Sequence, residues 1–436
     1  MSASFTPAPP RASQQDLASF DALFRECARI GATPTGGVHR LAASVADGAV
    51  RDRFCAWLRA EQFEVRIDPV GNIFGLMTLA PGAPYVLCGS HLDSQPNAGR
   101  FDGAYGVAAG AVAVASLARQ LRARDEPPVF NLAVVNWTNE EGARFQPSLM
   151  GSAVFTGAMP LEQAWASQDA EGITLKQALQ QIGYVGEAME ELPVAAYIEL
   201  HVEQGPHLEQ QGSKIGVVEE TWAALKWQVH FQGEQNHTGP SLMAVRRDAL
   251  LAAAQTIIAV RAQADKHNLK MHSSVGRLEI SPNSPNVVAA EARLHIEFRS
   301  ADEQLLHETG EAFQPLLQQI AAATGTTVSI DSAQFRPRRQ LAAPLAALAW
   351  QSCNLLDIAA LKTRSVAGHD AISMSYHCPS SLLFIPSANG LSHNEAEFTT
   401  DEDMHHGVAV LVLFLYLIST QPSAWRKEMT AEEQAC

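Results

Sequence analysis

Histidine and carboxylate side chains follow four separate apolar segments of this 436-residue chain. They are His91, Asp93 and Asp102 after YVLC, Glu140 and Glu141 after FNLAVVNW, His201 and Glu203 after AAYIEL, and His393 after SLLFIPSANG. Open α/β sheets bind ligands in the crevice beyond the carboxyl ends of their parallel strands, so side chains distant in sequence can meet there. If the apolar segments are such strands, the spacing predicts one shared site.

The donor types in this set suit a divalent transition metal. Imidazole and carboxylate ligands together favour zinc over calcium or magnesium. The expected ligands are His91, Asp102, Glu141, His201 and His393. A single catalytic zinc takes about three protein ligands, so these donors predict two ions that share one carboxylate. Asp102 is the expected bridge, because Gly103 and the other small residues around it let the backbone come close.

Each of these groups taken alone has a structural alternative. A His-x-Asp pair such as His91 and Asp93 can be a loop hydrogen bond, and Glu140 with Glu141 can be a solvated pair at the start of a loop. His393 could simply lie in a turn. Suitable donors after four separate apolar segments favour a metal site over four unrelated roles.

Eight motifs, in order along the chain, carry a family resemblance. They are HLDSQPNAGRFDGAYG, TNEEGARF, LHVEQGP, NHTGP, SPNVV, EFRS, AGHDA and LSHNEAEF, within a region from about Asp21 to Ala409. This set resembles the dinuclear zinc amidohydrolases of the hydantoinase/carbamoylase family, which include N-carbamoyl-L-amino acid hydrolase, β-ureidopropionase and allantoate amidohydrolase. The wider clan contains zinc aminoacylases and carboxypeptidases. His201 stands where peptidase relatives usually carry an acidic residue, which favours ureido substrates over peptides.

The resemblance implies a role for each site residue. Glu140 would be the general base, and Asp93 would accept the second ring N–H of His91 and so orient it. His237 would reach the active site of a partner subunit and stabilise the oxyanion. The substrate carboxylate would be held by Gln204, Asn286 and Arg299, while His369 would contact substrate or support the site. Zinc is the expected metal, with manganese, cobalt or nickel as alternatives.

The implied reaction is hydrolysis of the ureido C–N bond of an N-carbamoyl-L-amino acid, giving the amino acid, carbon dioxide and ammonia. β-Ureidopropionate and allantoate are alternative substrates, and an aminoacylase or dipeptidase of the same clan is a further alternative. A metal-free binding relative is disfavoured, because all the expected ligands and Glu140 are present.

The segment order predicts an α/β fold with an inserted α+β domain. From 222 to 336 the pattern reads β-α-β-β-α-β, which suits a ferredoxin-like sheet with both helices on one face. Within ARLHIEFRS, the residues Leu294, Ile296 and Phe298 should share one face. We therefore expect a flexible tail over 1–20, a zinc-peptidase-like catalytic domain with a mixed sheet flanked by helices over 21–221 and 338–436, and an inserted domain over 222–337. The resemblance makes the insertion a dimerisation and lid domain.

Composition narrows the possible partners. The net charge of −15 and the lack of a long basic run argue against nucleic acid.

The six cysteines show no CxxC spacing, which predicts reduced thiols in a cytoplasmic protein. No export signal is expected in the first twenty residues, which lack an apolar core. GAYGVAAGAVAVASLARQL and GVAVLVLFLYLIS are expected to be buried core helices, so no membrane is predicted. The resemblance implies a homodimer that acts on a small carboxylate substrate with a ureido group.

Overall fold

The computed structural model describes residues 8–124, 127–188 and 192–426. The chain forms two compact units. The first, here called the discontinuous unit, comprises Met1–Glu219 and Gln340–Cys436, and the second, the inserted unit, comprises Glu220–Arg339.

The discontinuous unit contains both helices and strands. Before the insertion they are α1 (Gln14–Arg29), α2 (Val45–Ala60), β1 (Glu64–Ile67), β2 (Ile73–Met77), β3 (Tyr85–His91), α3 (Ala104–Arg124), β4 (Asn131–Trp137), α4 (Met150–Phe155), α5 (Leu161–Ala166), α6 (Leu175–Ile182), β5 (Val194–Val202), α7 (His207–Gln211) and β6 (Ile215–Thr221). The insertion contains β7 (Ala223–Gln232), β8 (Asn236–His237), α8 (Ala249–His267), β9 (His272–Ser281), β10 (Val287–Val288), β11 (Glu291–Ser300), α9 (Glu303–Thr324) and β12 (Thr327–Arg336). After it come β13 (Arg339–Gln340), α10 (Ala343–Leu356), β14 (Ala360–Ser365), α11 (Asp370–Met374), β15 (Ser380–Ile385) and α12 (Asp401–Thr420).

A mixed sheet of nine strands, counted within the described ranges, forms the centre of the discontinuous unit. Its order is β1-β2-β4-β3-β5-β15-β6-β13, with β14 paired to β6. The four central strands, β4, β3, β5 and β15, run parallel, and the neighbours of this group, β2 and β6, run antiparallel to it. Every residue of β3, β4 and β15 is buried, as expected for parallel strands covered on both faces. The predicted mixed sheet flanked by helices is confirmed.

Two long apolar helices pack together in the core of this unit. Helices α3 and α12 are long and apolar enough to cross a membrane. In the most apolar 18-residue stretch of each helix, however, 89% (α3) and 72% (α12) is buried inside the protein. A helix that is apolar on all sides is buried in the core of a large domain or in a membrane. Here α3 lies against β3 and α12, so both helices are core helices, as predicted.

The N-terminal segment differs from the prediction of a flexible tail over residues 1–20. Residues 1–7 lie outside the described part of the chain, but helix α1 begins at Gln14. Ser13 and Asp16 form a capping box, in which each side chain accepts the backbone N–H of the other residue. Phe20 is fully buried in the core. The prediction was wrong for residues 14–20, because it overlooked the cap and the apolar face that follows it.

The inserted unit has the predicted β-α-β-β-α-β order. Its sheet runs β12-β7-β11-β9 with antiparallel pairing, and β8 pairs with β10 as a separate two-stranded ribbon. Leu294, Ile296 and Phe298 on β11 are buried in the core that the sheet shares with α8 and α9. Helix α8 begins at Ala249 with Asp248 as its N-cap. The Asp248 side chain accepts the N–H of Leu251, and that cap sets the start of the helix.

The cysteines of the described chain are free thiols in buried positions. They are Cys27, Cys55, Cys88, Cys353 and Cys378. Cys436, which the sequence prediction also included, lies outside the described residues. Burial raises the pKa of Cys27 to about 11, so this thiol is protonated at neutral pH.

Candidate metal centre

The predicted donors meet at the carboxyl ends of the four parallel strands. His91 is the last residue of β3, and its register partner on β4 is Trp137, three residues before Glu140. His201 lies near the end of β5 opposite Phe384 of β15. The connection after β15 carries His393. Because β4, β3, β5 and β15 are neighbours in the sheet, donors from four distant segments reach one place.

Asp102 lies at the centre of this arrangement. Its Oδ1 atom is 3.5 Å from Nε2 of His91 and 3.1 Å from Nε2 of His201. Its Oδ2 atom is 3.2 Å from Nε2 of His393, and that nitrogen is 3.4 Å from Oε2 of Glu141. The donors thus form two groups, His91–Asp102–His201 and Asp102–Glu141–His393, within each of which the ligand atoms lie within 4.8 Å of one another. One carboxylate belongs to both groups.

The two most buried histidines have the same orientation. Nδ1 of His91 lies 2.9 Å from the carbonyl oxygen of Asp93, and Nδ1 of His201 lies 2.9 Å from the carbonyl oxygen of Val202. A carbonyl can only accept, so in the neutral ring Nδ1 carries the hydrogen and Nε2 carries the lone pair. In His201 this Nε2 also accepts the backbone N–H of Gly103 at 3.2 Å. Both lone pairs therefore face Asp102, as in metal-ligating histidines whose second nitrogen donates to a carbonyl.

Asp93 orients the site differently from the prediction. Its carboxylate oxygen Oδ1 is 3.8 Å from Nδ1 of His91, so the backbone carbonyl, not the side chain, accepts the ring N–H. The side chain instead accepts the backbone N–H groups of Glu140 at 3.2 Å and Glu141 at 3.3 Å. Asp93 is buried and so holds the start of the loop after β4.

Glu140 and Glu141 point to different parts of the centre. Oε2 of Glu140 is 3.5 Å from Nε2 of His91, whereas Oε2 of Glu141 is near His393. Gln95 holds Glu141 in place: its backbone N–H donates to Oε1 at 3.2 Å and its Nε2 donates to Oε2 at 3.0 Å. The sequence interpretation missed Gln95, although it lies inside the first motif, four residues after His91.

The charges of this buried cluster shift one another's protonation. Burial lowers the pKa of His91, but the carboxylates of Glu140 and Asp102 outweigh it and raise that pKa well above its ordinary value. Burial also lowers the pKa of His393, yet the adjacent Asp102 carboxylate raises it to about 9. Burial raises the pKa of Asp102, but His201 and His393 outweigh it and hold that pKa well below the ordinary range. Burial raises the pKa of Glu140 well above its ordinary value. Such concentrated carboxylate charge attracts cations.

Gln204 and His369 both lie against the predicted ligands. Nε2 of Gln204 donates to Oδ2 of Asp102 at 2.7 Å and lies 3.3 Å from Oγ of Ser392. His369 is buried, and its ring packs edge-on against His201 with 4.6 Å between centroids. In this structure, then, the Gln204 amide contacts the shared carboxylate, an interaction that the sequence did not indicate.

Two carboxylates near the strand ends have structural partners. Glu203, which follows β5, accepts the N–H of Leu208 at 2.8 Å and is absent from both donor groups. Glu199, which sequence reasoning missed, is fully buried, and its carboxylate lies within 4.8 Å of ring nitrogens of His201 and His369, with which it forms a third group of donors. It accepts hydrogen bonds from Oγ of Ser90 at 2.7 Å and from the N–H of Ala371 at 2.8 Å. Ser90 directly precedes the first motif, but no spacing signal connects it to Glu199.

The remaining predicted site residues, His237, Asn286 and Arg299, belong to the inserted unit. His237 is exposed on β8, and its Nδ1 accepts the N–H of Gly239 at 2.9 Å, which leaves Nε2 as the proton-bearing nitrogen of the neutral ring. Asn286 directly precedes Val287, the register partner of His237. Arg299 on β11 forms an ion pair with Glu297 at 3.0 Å. His237 and Asn286 are thus adjacent within this unit.

The chemistry of the donor set fits two divalent ions. His91 and His201 would hold one ion and Glu141 and His393 the other, with Asp102 shared. Imidazole and carboxylate are the ligands of catalytic zinc sites. Oriented Nε2 lone pairs and a carboxylate between two donor groups are what such a pair requires. Glu140 lies beside this set without joining either group, as expected for a proton-transfer residue.

The chain is similar in sequence and structure to known hydrolases and amidases. A sequence model of peptidase family M20/M25/M40 matches residues 87–417. A hydrolase of Mycolicibacterium smegmatis is 44% identical over 88% of this chain and 89% of its own length. An N-carbamoyl-L-amino-acid amidohydrolase of Rhizobium meliloti is 34% identical over 88% and 92%. The crystal structure of an amidase of the hydantoinase/carbamoylase family from Burkholderia vietnamiensis superposes with a TM-score of 0.88 at 34% identity, covering 94% of this chain and 98% of that one.

Proposed function

This chain belongs to peptidase family M20/M25/M40, and from that premise we propose that it hydrolyses the ureido C–N bond of N-carbamoyl-L-amino acids, releasing the amino acid, carbon dioxide and ammonia. The predicted resemblance to amidohydrolases of the hydantoinase/carbamoylase family is confirmed by the relatives. The observation that carries the proposal is the pair of donor groups that share Asp102.

Each residue of the centre has a part in the proposed reaction. His91, His201, Glu141 and His393 would hold two divalent ions, zinc by preference, with Asp102 between them. Such ions supply Lewis-acid activation of water and of the scissile carbonyl. Glu140 would accept a proton from the attacking water and return it to the leaving nitrogen. Its raised pKa suits a group that must both take and give a proton near neutral pH.

The inserted unit would supply substrate contacts. The resemblance assigns the substrate carboxylate to Arg299 and Asn286, and Arg pairs well with a carboxylate because its planar fork donates two parallel hydrogen bonds. Gln204 would extend this set from the metal-bearing loops. Nε2–H of His237 would donate to the oxyanion in the active site of a partner subunit.

An exposed apolar stripe supports the proposed homodimer. On α8 the side chains of Leu250, Leu251, Ile257 and Ile258 are exposed at a spacing that places them along one side of the helix. The adjacent edge of the sheet is β9, whose one strand partner in the described chain is β11. Exposed apolar stripes and open sheet edges favour association with another copy of the chain.

The proposed place of action is the cytoplasm.

A substrate panel tests the proposal. Ammonia release is measured for N-carbamoyl-L-amino acids, their D-enantiomers, β-ureidopropionate and allantoate. Release of free amino acid is measured for N-acetyl amino acids and dipeptides, whose hydrolysis yields no ammonia. We expect the N-carbamoyl-L-α-amino acids to react fastest. Turnover of dipeptides with no ureido compound would place the chain among the peptidases, and a preference for β-ureidopropionate or allantoate would favour that alternative.

A variant of the predicted carboxylate contact sharpens this test. Arg299→Ala should cost about 2 to 4 kcal/mol of transition-state binding for a substrate with a carboxylate. It should barely affect a carbamoyl amine that lacks the carboxylate. Arg293→Ala is the matched control, because Arg293 lies on the same strand and pairs weakly with Glu291 at 3.9 Å. An equal loss for both compounds would contradict a carboxylate-binding role.

A further inference from the structure

Glu397 is a buried carboxylate that connects the two segments bearing Asp102 and His393. Its side chain lies four residues beyond His393 and is almost completely buried. Its Oε2 accepts the backbone N–H groups of Phe101 at 3.1 Å and Asp102 at 3.2 Å. Its Oε1 accepts a hydrogen bond from Oγ of Ser392 at 2.9 Å. One side chain therefore joins backbone and side-chain groups from both segments.

Gly99 makes this close approach possible. A Cβ at residue 99 would lie 1.9 Å from Oε2 and 2.5 Å from Cβ of Glu397. Real atoms do not approach so closely, so any other residue at this position would displace the carboxylate. Gly99, one of the small residues near Asp102, is thus the contact surface for Glu397.

Ser392 and Gln204 hold the side chain of Asp102. Oγ of Ser392 lies 3.1 Å from Oδ2 of Asp102, and Nε2 of Gln204 donates to that oxygen at 2.7 Å. Glu397 thus fixes the backbone of Asp102, and its partner Ser392 touches the carboxylate. Within the part of the chain that the structure describes, Glu397 is the carboxylate that accepts the N–H of Asp102.

We propose that Glu397 is a positioning residue that locks the Asp102 loop to the His393 segment and so sets the affinity of the Asp102–Glu141–His393 group for its metal ion. The proposal rests on the proposed function insofar as that function places an ion there. Hydrogen bonds to ligand-bearing groups orient the ligands, and losing one typically weakens metal binding about 10- to 100-fold. Without Glu397, Asp102 and His393 would still offer donor atoms to a metal ion, but the distance between the two side chains would no longer be fixed.

The test measures cobalt(II) binding to the metal-free full-length chain by chelator competition and by the d–d absorption of the bound ion. Glu397→Ala should lower the affinity for one of the two ions about 10- to 100-fold and change the affinity for the other by no more than a few-fold. Glu397→Gln should recover most of the affinity, because its Oε1 can accept both backbone N–H groups while its Nε2 donates to Ser392. Glu209→Ala is the control, since Glu209 accepts the N–H of Asn389 in the same connection without touching Asp102.

The outcomes separate this proposal from the proposed function. If Glu397→Ala binds two ions with wild-type affinity and only loses thermal stability, Glu397 has a merely structural role and the proposal is overturned. If Glu397→Ala does not fold, Ser392→Ala replaces it and should weaken the same ion several-fold; unchanged affinity there would equally overturn the proposal. A wild-type chain that binds fewer than two ions would instead contradict the dinuclear site.

Discussion

Gly103 lies against the imidazole ring of His91. A Cβ at residue 103 would lie 2.5 Å from both Cε1 and Nε2 of that ring, and the backbone at Gly103 has a φ of +65°. Glycine is therefore required at residue 103 for two reasons: the left-handed backbone conformation, and the lack of space for a side chain beside a predicted ligand. The residue after the shared carboxylate thereby determines how closely His91 approaches Asp102.

Gly103→Ala should abolish tight binding of the ion at His91, because the ring must move by more than a coordinate bond tolerates. Zinc content after dialysis is the measurement. Gly157→Ala is the matched control, since Gly157 has a φ of +74° with nothing within 4 Å of an added Cβ. The control shares the backbone cost of about 1 kcal/mol but should keep both ions. Equal zinc content in both variants would contradict a ligand role for His91.

Glu140→Gln should retain both metal ions and lose catalysis by several orders of magnitude, because proton transfer is removed while the donors survive. Glu141→Gln should instead lose the ion that Glu141 shares with His393. Metal content and ammonia release are measured on the same preparations. If Glu140→Gln loses metal and Glu141→Gln keeps it, the two roles are reversed.

Metal binding should release a proton from His393. Its pKa of about 9 means that this imidazole is protonated at pH 7 in the metal-free chain, and a ligating imidazole must be neutral. Affinity should therefore rise with pH through this range and level off above about pH 9. Calorimetry in buffers of different ionisation enthalpy counts the released protons at pH 7.5, and His393→Ala should release fewer. Equal proton release by both proteins would exclude His393 as a ligand.

Mixed dimers should test whether His237 acts across the subunit interface. An inactive His237→Ala chain mixed with an inactive Glu140→Gln chain should regain part of wild-type activity, because one site then combines intact Glu140 with the intact His237 of its partner. Glu141→Gln mixed with Glu140→Gln is the control and should stay inactive, since both residues belong to the same unit. Demonstrated subunit exchange without recovered activity would mean that His237 acts within its own chain or not at all.

The proximity of the proposed ligands was predictable from sequence because of where these residues stand relative to apolar segments. His91, Glu141, His201 and His393 each follow or end a buried parallel strand, and parallel strands bring their carboxyl ends to one edge. The alternation around Ile296 likewise indicated the buried face of β11. Both signals are local patterns of apolar and polar residues, which a sequence displays directly.

Tertiary structure decided how those ligands are held. Glu397 contacts the Asp102 loop across almost three hundred residues of chain, and Asp93 accepts backbone N–H groups near Glu140 instead of the imidazole of His91. Hydrogen bonds between side chains and backbone groups have no sequence period, because their partners are set by how loops pack and not by residue spacing. The sequence therefore determined which atoms can bind metal, and the packing of loops determined which groups orient them.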